Sequence, residues 1–247
     1  MRLGCLILFI LGALSSQAQV PGFLGKRFTV FLDANPSPAI FVQTPSNKLM
    51  VDPEGGDGVG VTTTNRFAFN IRPQVTAEYQ FFKRHSIGVS YSQLSMGTTG
   101  AYYKSTPETE DDQTYQYDPD VVKGSAIGLH LKFYYSTTVA PIGYYQTLSV
   151  YYTNVNTYDD KKSSVKKFRD DFKYPVATMQ LGRQSMPVKN LLVRAGFEIG
   201  WAFVPSNFLT EDETDWNAQE FAGYKVHQSL MGYYFFNLTL GVGYVLF

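Results

Sequence analysis

A strict two-residue alternation between apolar and polar or small side chains is the feature that most restricts how this chain can fold. It is clearest in Leu191–Phe203, where every odd-numbered residue is apolar, while the even-numbered residues include Arg194, Glu198 and two glycines. Successive side chains of a β-strand point to opposite faces, whereas a helix would distribute these apolar residues around its circumference. The segment therefore predicts a long strand with one apolar face.

The alternation recurs along the chain. Four further segments show it clearly: Arg66–Phe81, Ala126–Tyr135, Tyr144–Asn154 and Tyr233–Phe247. Three segments show a weaker form of it: Arg27–Ala34, Ser86–Met96 and Lys173–Arg183. Eight strands are predicted in all, and an even number suits an antiparallel barrel that closes within a membrane. Pro73 and Pro175 lie inside two of these strands, and because proline removes a ladder donor we expect each to mark a local bulge.

The predicted connections alternate between short and long. The short ones are Phe82–His85, Thr137–Gly143 and Gln184–Lys189. The long ones are Asn35–Asn65, Lys104–Val121, Asn156–Phe172 and Val204–Met231. Short turns at one end and long polar loops at the other are typical of outer-membrane barrels, whose long loops face outside. This pattern predicts that both termini lie in the periplasm.

Acidic and basic residues are separated in the same way, between the long and the short connections. Of 21 acidic residues, 18 fall in the four long connections, and only Asp33, Glu78 and Glu198 fall in strands. Basic residues without nearby acids mark the short-turn end: Lys26, Arg27, Lys83, Arg84, Arg183 and Lys189. The net charge of zero therefore conceals a basic rim and an acidic crown. A soluble β-sandwich has no reason to separate its charges in this way.

The composition agrees with a membrane barrel. The chain has 18 tyrosines and 19 phenylalanines, and beyond its first residues no segment approaches 18 continuous apolar residues. Weak hydrophobicity per segment is expected where only every second residue faces lipid. The predicted fold is all-β: an eight-stranded antiparallel up-and-down transmembrane β-barrel. A soluble, lipocalin-like barrel with its apolar face inside is the alternative.

The N-terminus is predicted to be a cleaved signal peptide over residues 1–18, which leaves residues 19–247 as the barrel domain. Arg2 precedes the apolar run Leu6–Leu14, and Ser16 and Ala18 stand before a cleavage point. Nine apolar residues are too few for a membrane-spanning helix, which disfavours an uncleaved anchor. The single cysteine, Cys5, would be removed with the peptide. Disulfides and cysteine-ligated metals are therefore excluded from the mature protein.

Three features of the chain resemble the small, porin-like outer-membrane β-barrel proteins of Bacteroidota. They are the run Gly22-Phe23-Leu24-Gly25-Lys26-Arg27-Phe28 before the first strand, the series of eight strands and the final Phe247. The resemblance implies an outer-membrane location in a Gram-negative cell envelope. One feature departs from the family pattern. Assembly signals place the terminal Phe on the apolar face, whereas that face falls on even-numbered residues here. Either the register slips near Gly241–Gly243 or the signal is degenerate.

The charged residues predicted to face the lumen form the most informative set: Arg72, Glu78, Lys132, Arg194 and Glu198. Side chains largely fill the interior of an eight-stranded barrel. Charges buried there must pair, because an isolated ion in a low-dielectric interior is very costly. We therefore expect a network of ion pairs that plugs the lumen, rather than a conducting path. His130 is on the same face, and a hydrogen-bonded core role is expected for it.

Catalysis has little support in the sequence. Of the three histidines, only His227 shares a rim with candidate partners, namely Asp212, Asp215 and Ser229, and no spacing brings a nucleophile, a base and an orienting group together. The acidic clusters Glu108–Asp112 and Glu211–Asp215 lack the spacing of a calcium loop. No catalytic, cofactor-binding or metal-binding residues are predicted, and no cofactor. The mixed-charge run from Asp159 to Asp171 is too balanced for nucleic-acid binding.

Trp216, Phe221 and Tyr224 in the last long connection are candidates for partner contact, because exposed aromatic residues often anchor interfaces. The leading functional prediction is a non-enzymatic envelope barrel that is structural or presents loops for adhesion. Narrow-pore or small-solute transport is the alternative, and a lipid-modifying membrane enzyme is a more distant one. The predicted partners are outer-membrane lipid, including lipopolysaccharide, and an extracellular protein or surface.

Overall fold

The computed structural model describes residues 25–39, 42, 49–52, 60–63, 69–97, 121–135, 140–158, 172–203 and 218–246. Within these ranges the chain forms ten strands and one long helix. The strands are β1 Phe28–Pro38, β2 Leu49–Asp52, β3 Gly60–Thr63, β4 Phe69–Phe82, β5 His85–Gly97, β6 Val121–Tyr134, β7 Gly143–Tyr158, β8 Phe172–Val188, β9 Leu191–Ala202 and β10 Asn237–Val245. The helix, α1, spans Ala218–Phe235, between β9 and β10.

Eight of the strands form a closed barrel in the order β1-β10-β9-β8-β7-β6-β5-β4, with β4 pairing back onto β1. Every pair is antiparallel, and strands adjacent in sequence are neighbours in the barrel. Leu32, for example, pairs with Val242 on one side and with Val75 on the other. The predicted eight-stranded up-and-down barrel is confirmed. The two remaining strands, β2 and β3, form a hairpin in the first long connection that the sequence did not predict.

The apolar face of the wall points outward. Leu129 is 63% exposed, Val150 59% and Leu240 56%. The inward-facing positions are small, polar or charged, and Thr76 and Thr153 among them are almost fully buried. A soluble barrel would have the reverse arrangement, since water disfavours a continuous apolar surface. The lipocalin-like alternative is therefore wrong.

The two prolines do not cause bulges. The ladder between β4 and β5 begins at Gln74, and that between β8 and β9 begins at Val176. Pro73 and Pro175 pair within the β1–β4 and β7–β8 ladders without a shift of register. On the other side each lies one residue beyond the end of a ladder, where a missing N–H costs little. The shifts in register occur instead in the ranges 80–82 and 185–188. Strand β8 also runs to Val188, so its turn to β9 is only Lys189 and Asn190, rather than the predicted six-residue connection.

The last part of the chain differs most from prediction. A strand was expected from Tyr233, but α1 continues to Phe235 and β10 begins at Asn237. Tyr234, expected on the outer face, is a fully buried helical residue. From Asn237 to Leu246 burial then alternates without interruption, so the proposed slip of register near the two glycines is wrong. Phe247 lies outside the described residues.

Helix α1 lies inside the barrel at the end of the long connections. Its buried residues recur at the spacing i, i+1, i+3, i+4, i+7 and i+8, which is one helical face. Among its described side chains they are Val226, His227, Ser229, Leu230, Tyr233 and Tyr234. This face packs against inward residues of β5, β6, β7, β8 and β9 to form the main apolar core. Within the described residues, no helix is long and apolar enough to cross a membrane.

Candidate functional site

The charged residues in the middle of the lumen form one site whose centre is Glu78. This β4 carboxylate accepts hydrogen bonds from Lys132 of β6 and, at 2.8 Å, from Nη1 of Arg194 of β9. Nε2 of His130 lies 3.7 Å from the same oxygen. All four side chains are at least nine-tenths buried. A single carboxylate therefore joins three strands across the lumen.

Arg194 also joins β9 to β1. Its Nε donates to Oδ1 of Asp33 at 2.6 Å, and its Nη2 donates to Oδ2 of the same carboxylate. This is the two-pronged geometry in which arginine binds carboxylates most strongly. The Thr76 hydroxyl donates to Asp33 Oδ2 at 3.1 Å. Asp33 is thus bound both by its neighbouring strand β4 and by β9, which is two strands away.

A second ion pair lies closer to α1. Arg72 of β4 pairs with Glu198 of β9, whose other oxygen accepts a hydrogen bond from Thr178 at 3.3 Å. The Arg72 guanidinium lies 4.5 Å from the ring centre of Tyr234 and 5.5 Å from that of Tyr151. Because Tyr234 belongs to α1, this cation–π contact connects the helix to the charged layer.

The charges of this layer balance. Among the described residues, the lumen contains three carboxylates, those of Asp33, Glu78 and Glu198, and three basic side chains, those of Arg72, Lys132 and Arg194. The structure places all five residues of the sequence-derived network inside the barrel, in two groups. Asp33 was not included in that network. Its strand showed only a weak alternation, although Asp33 lies between outward-facing Leu32 and Ala34 and so could have been assigned inward.

Inward-facing glycines make room for these large side chains. A Cβ at position 241 would lie 2.0 Å from Oδ1 of Asp33 and 2.9 Å from Cγ of Arg194. A Cβ at position 88 would lie 2.3 Å from Nε2 of His130. Both distances are far shorter than van der Waals contact. The glycines of β10 and β5 are therefore needed for space where the network crosses the lumen.

Two further layers close the lumen on either side of the charges. Towards the short turns, Phe31 packs with Leu192 and Val245, and Tyr134 packs with Tyr145. Towards the long connections lies the apolar core around α1. The helix is also held by polar contacts, since the Tyr174 hydroxyl donates to the Gly223 carbonyl at 2.7 Å. The lumen is thus occupied along its length.

The predicted partner-contact residues fall in or beside α1. Trp216 lies outside the described residues, and Phe221 belongs to α1, although its side chain is not among those described. Tyr224 is half-buried on the helix. The structure therefore brings none of the three together as a described exposed patch. The prediction of an aromatic contact surface remains a prediction.

The histidines have separate environments. His85 packs against Phe82 and Phe133 at the short-turn end, while Nε2 of His227 lies 3.1 Å from the carbonyl oxygen of Ala202. Ser229 is two residues from His227 on α1, and such residues point about 200° apart around a helix. Asp212 and Asp215 lie outside the described residues. The described part of the chain therefore assembles no nucleophile and base around His227.

Among the described residues, no group of histidine, cysteine, aspartate or glutamate is arranged to hold a metal ion. The acidic clusters Glu108–Asp112 and Glu211–Asp215 lie outside the described residues.

The fold, the outward apolar wall and the filled lumen define the class: an eight-stranded antiparallel up-and-down transmembrane β-barrel. No family model matches the chain, and no curated protein matches it. It is similar to the N-terminal β-barrel domain of Pseudomonas aeruginosa OprF, with a TM-score of 0.41, 9% identity and coverage of 89% of this chain and 97% of that domain.

Two other solved structures are similar to the same degree. Neisserial surface protein A has a TM-score of 0.42 and 12% identity, with coverage of 89% of this chain and 97% of that chain. The attachment invasion locus protein Ail of Yersinia pestis, in complex with the heparin analogue sucrose octasulfate, has a TM-score of 0.37 and 10% identity, with coverage of 88% and 98%. The similarity extends no further than the architecture of a small barrel. Membership of the Bacteroidota family stays a prediction.

Proposed function

We propose that this protein is a non-enzymatic outer-membrane barrel with a closed lumen, which stabilises the cell envelope and presents its long connections for adhesion or partner binding. The observation that carries the proposal is the continuous occupation of the lumen by α1, by the balanced charged layer and by the aromatic layer below it. A barrel of this kind acts through its surface rather than through its interior.

The outer wall supports a membrane location. The barrel strands are 9 to 17 residues long, and a tilted strand needs about 9–11 residues to cross a membrane. Their outward side chains are apolar or aromatic and are about half exposed, as Ile127 (61%), Tyr152 (55%) and Trp201 (56%) illustrate. Such a continuous apolar band around the barrel is stable in lipid and not in water.

The proposed orientation places both termini in the periplasm. β1 begins and β10 ends at the short-turn end, beside the turn at Lys83 and Arg84 and the turn at Lys189 and Asn190. The long, acidic connections leave from the other end and would face outside, where cations can bridge them to lipopolysaccharide. Export by the signal peptide over residues 1–18 belongs to the same proposal.

The closed lumen also argues against the pore alternative. An ion crossing the barrel would have to displace α1, then separate ion pairs that are almost fully buried, and then pass the packed rings of Tyr134 and Tyr145. Removing one member of a buried pair costs about 3–5 kcal/mol. An ion would have to overcome this energetic barrier in addition to displacing the helix.

Planar-bilayer recording on the full chain tests the closed lumen. We expect no conductance steps from the wild type, and none from Tyr234→Ala, because loosening the helix leaves the charged layer in place. A triple variant, Tyr234→Ala with Arg72→Ala and Glu198→Ala, removes contacts from both layers and is expected to show intermittent steps. Regular steps from the wild type would refute the closed lumen and favour the transport alternative.

Cell fractionation tests the location. We expect the protein in the outer-membrane fraction, with a folded form that migrates faster than the boiled form on a gel, as a compact barrel does. Recovery of the folded protein in the soluble fraction would overturn the proposal. Binding of cells that display the protein to host-cell or matrix surfaces, compared with cells that lack it, then tests the adhesive role.

A further inference from the structure

One of the cations on the outer wall, Arg183, lies beside an open, largely apolar groove. Arg183 of β8 lies between inward-facing Gly182 and Gln184, so its side chain projects outward, and it is exposed. Its guanidinium carbon lies 5.4 Å from the ring centre of Tyr144 on β7. The ion pairs formed among the described residues all lie in the lumen, and none includes Arg183.

Two grooves meet at Arg183. The larger, of about 920 Å³, crosses β9 and β10 to β1, and Ala34, Ala195, Leu240 and Val242 are among the residues that line it. The smaller, of about 470 Å³, is bounded by Tyr135, Tyr144, Leu181 and Phe197. The grooves exist because small residues separate larger ones on the wall. Most of their lining residues are apolar. Besides Arg183, the larger groove is lined by Ser185 and by Asp33 and Arg194, which form an ion pair with each other.

The strand register fixes the depth of the larger groove in the membrane. Arg183 pairs with Tyr144, the second residue of β7, and so lies close to the short-turn end. The same row continues through Ala195 and Leu240 to Ala34, which is the seventh residue of β1. The groove therefore rises from the rim towards the middle of the wall.

This depth suits the two parts of a phospholipid. Aromatic residues such as Tyr144 and Tyr135 typically mark the level of the headgroups in a membrane barrel. An outward arginine is costly near the membrane centre but is tolerated at that level. Guanidinium binds phosphate with two parallel hydrogen bonds, whereas the rising apolar groove suits an acyl chain.

We infer that Arg183 and the groove from Arg183 to Ala34 form a binding site for an anionic phospholipid of the leaflet on the short-turn side. The lipid phosphate contacts the guanidinium, and one acyl chain lies along Ala195 and Leu240 towards Ala34. This inference rests on the proposed membrane location and adds a specific lipid site to it.

A second outward groove provides an internal control. It has a volume of about 530 Å³ and is lined by Leu148, Ala177, Met179, Ile199, Trp201 and neighbouring apolar residues, with no charged side chain among its lining residues. Lys173, an exposed cation at the opposite end of β8, provides a control for charge alone.

Native mass spectrometry of the full chain in mild detergent tests the site, with phosphatidylglycerol or phosphatidylcholine added at equal concentrations. The wild type is expected to retain one phosphatidylglycerol in preference to phosphatidylcholine. Arg183→Gln should reduce phosphatidylglycerol retention about fivefold, the effect of about one basic charge near a lipid phosphate. Arg183→Lys keeps the charge and should retain most of the preference.

The groove variants separate the acyl-chain part of the site from the phosphate part. Ala195→Leu fills the larger groove and should reduce retention of both lipids, whereas Ala177→Leu, in the uncharged groove, should leave the phosphatidylglycerol preference intact. Each variant is first checked for the fast-migrating folded form on a gel, so that misfolding is not read as lost binding.

Equal retention by Arg183→Gln and the wild type would overturn the site. An equal loss in Lys173→Gln would overturn it as well, because the preference would then reflect charge in general. The assay uses purified protein, so its failure is distinct from failure of the proposed location. Absence from the outer-membrane fraction with intact lipid preference would overturn the location alone.

Discussion

Replacing Glu78 by glutamine should strongly destabilise the barrel. The Glu78 carboxylate accepts from Lys132 and from Arg194, and Nε2 of His130 lies 3.7 Å away. Glutamine keeps the size of the side chain but leaves the lumen with three cations and two carboxylates. Arg194 retains Asp33, whereas Lys132 loses its only carboxylate partner among the described residues.

The magnitude follows from the burial of the remaining charge. Lys132 is completely buried, and removing one member of a buried pair costs about 3–5 kcal/mol. Adding Lys132→Met to Glu78→Gln removes the unpaired ammonium and restores charge balance. The double variant should therefore recover part of the loss, with a coupling energy of about 2–3 kcal/mol between the two positions.

The measurement is reversible urea unfolding of the protein refolded into phosphatidylcholine vesicles, followed by tryptophan fluorescence. Trp201 faces outward on β9 and reports its transfer from lipid to water. The wild type, Glu78→Gln, Lys132→Met and the double variant together form a double-mutant cycle, which gives the coupling energy. A loss below about 1 kcal/mol for Glu78→Gln, or strict additivity of the two single changes, would refute the ion-pair network as a buried, charge-balanced layer.

Three other changes test separate parts of the structure. Gly241→Val places a side chain within 2.0 Å of Asp33 Oδ1 and is expected to prevent formation of the fast-migrating folded form, so a normal gel shift would contradict the packing. Leu129→Arg puts a charge on the outer face at the middle of the wall and should lower the free energy of unfolding in vesicles by about 2–4 kcal/mol. Tyr135→Arg, near the rim, should lower it by only about 0–1 kcal/mol. Equal losses measured by urea unfolding would contradict the assignment of Leu129 to the lipid-facing surface. Tyr234→Ala should cost about 3–5 kcal/mol and expose α1 to limited proteolysis, whereas Tyr234→Phe keeps the ring and should resist it; equal protease sensitivity would contradict the packing of the helix.

The strands of the barrel wall could be predicted from the sequence because the orientation of each side chain depends only on its position within its own strand. In a strand with one face in lipid, each outward residue must be apolar, so the alternation in Leu191–Phe203 records its orientation directly. The same alternation placed Arg194 and Glu198 in the lumen. The partners of those charges depend on strands distant in sequence, and the sequence alone did not pair them.

Helix α1 was missed for a different reason. Tyr234 and Phe236 fit, by coincidence, the period of two that the sequence shows from Leu238 onwards. The pattern therefore predicts a strand that begins too early. The spacing of Val226, Leu230 and Tyr234 is four residues and indicates a helix. The polar residues of Val204–Met231 favour a loop instead, and loop length gives no sign that a segment folds back into the lumen.

The position of α1 in the chain also constrains the order of assembly. Only Phe236 separates the end of the helix from β10, the strand that closes the barrel by pairing with β1. After closure of the wall the helix could enter only through the mouth at the end of the long connections, and its short link to β10 holds it at that mouth. We therefore expect docking of the helix to accompany the pairing of β10 with β1, and poor docking to slow this last step of closure.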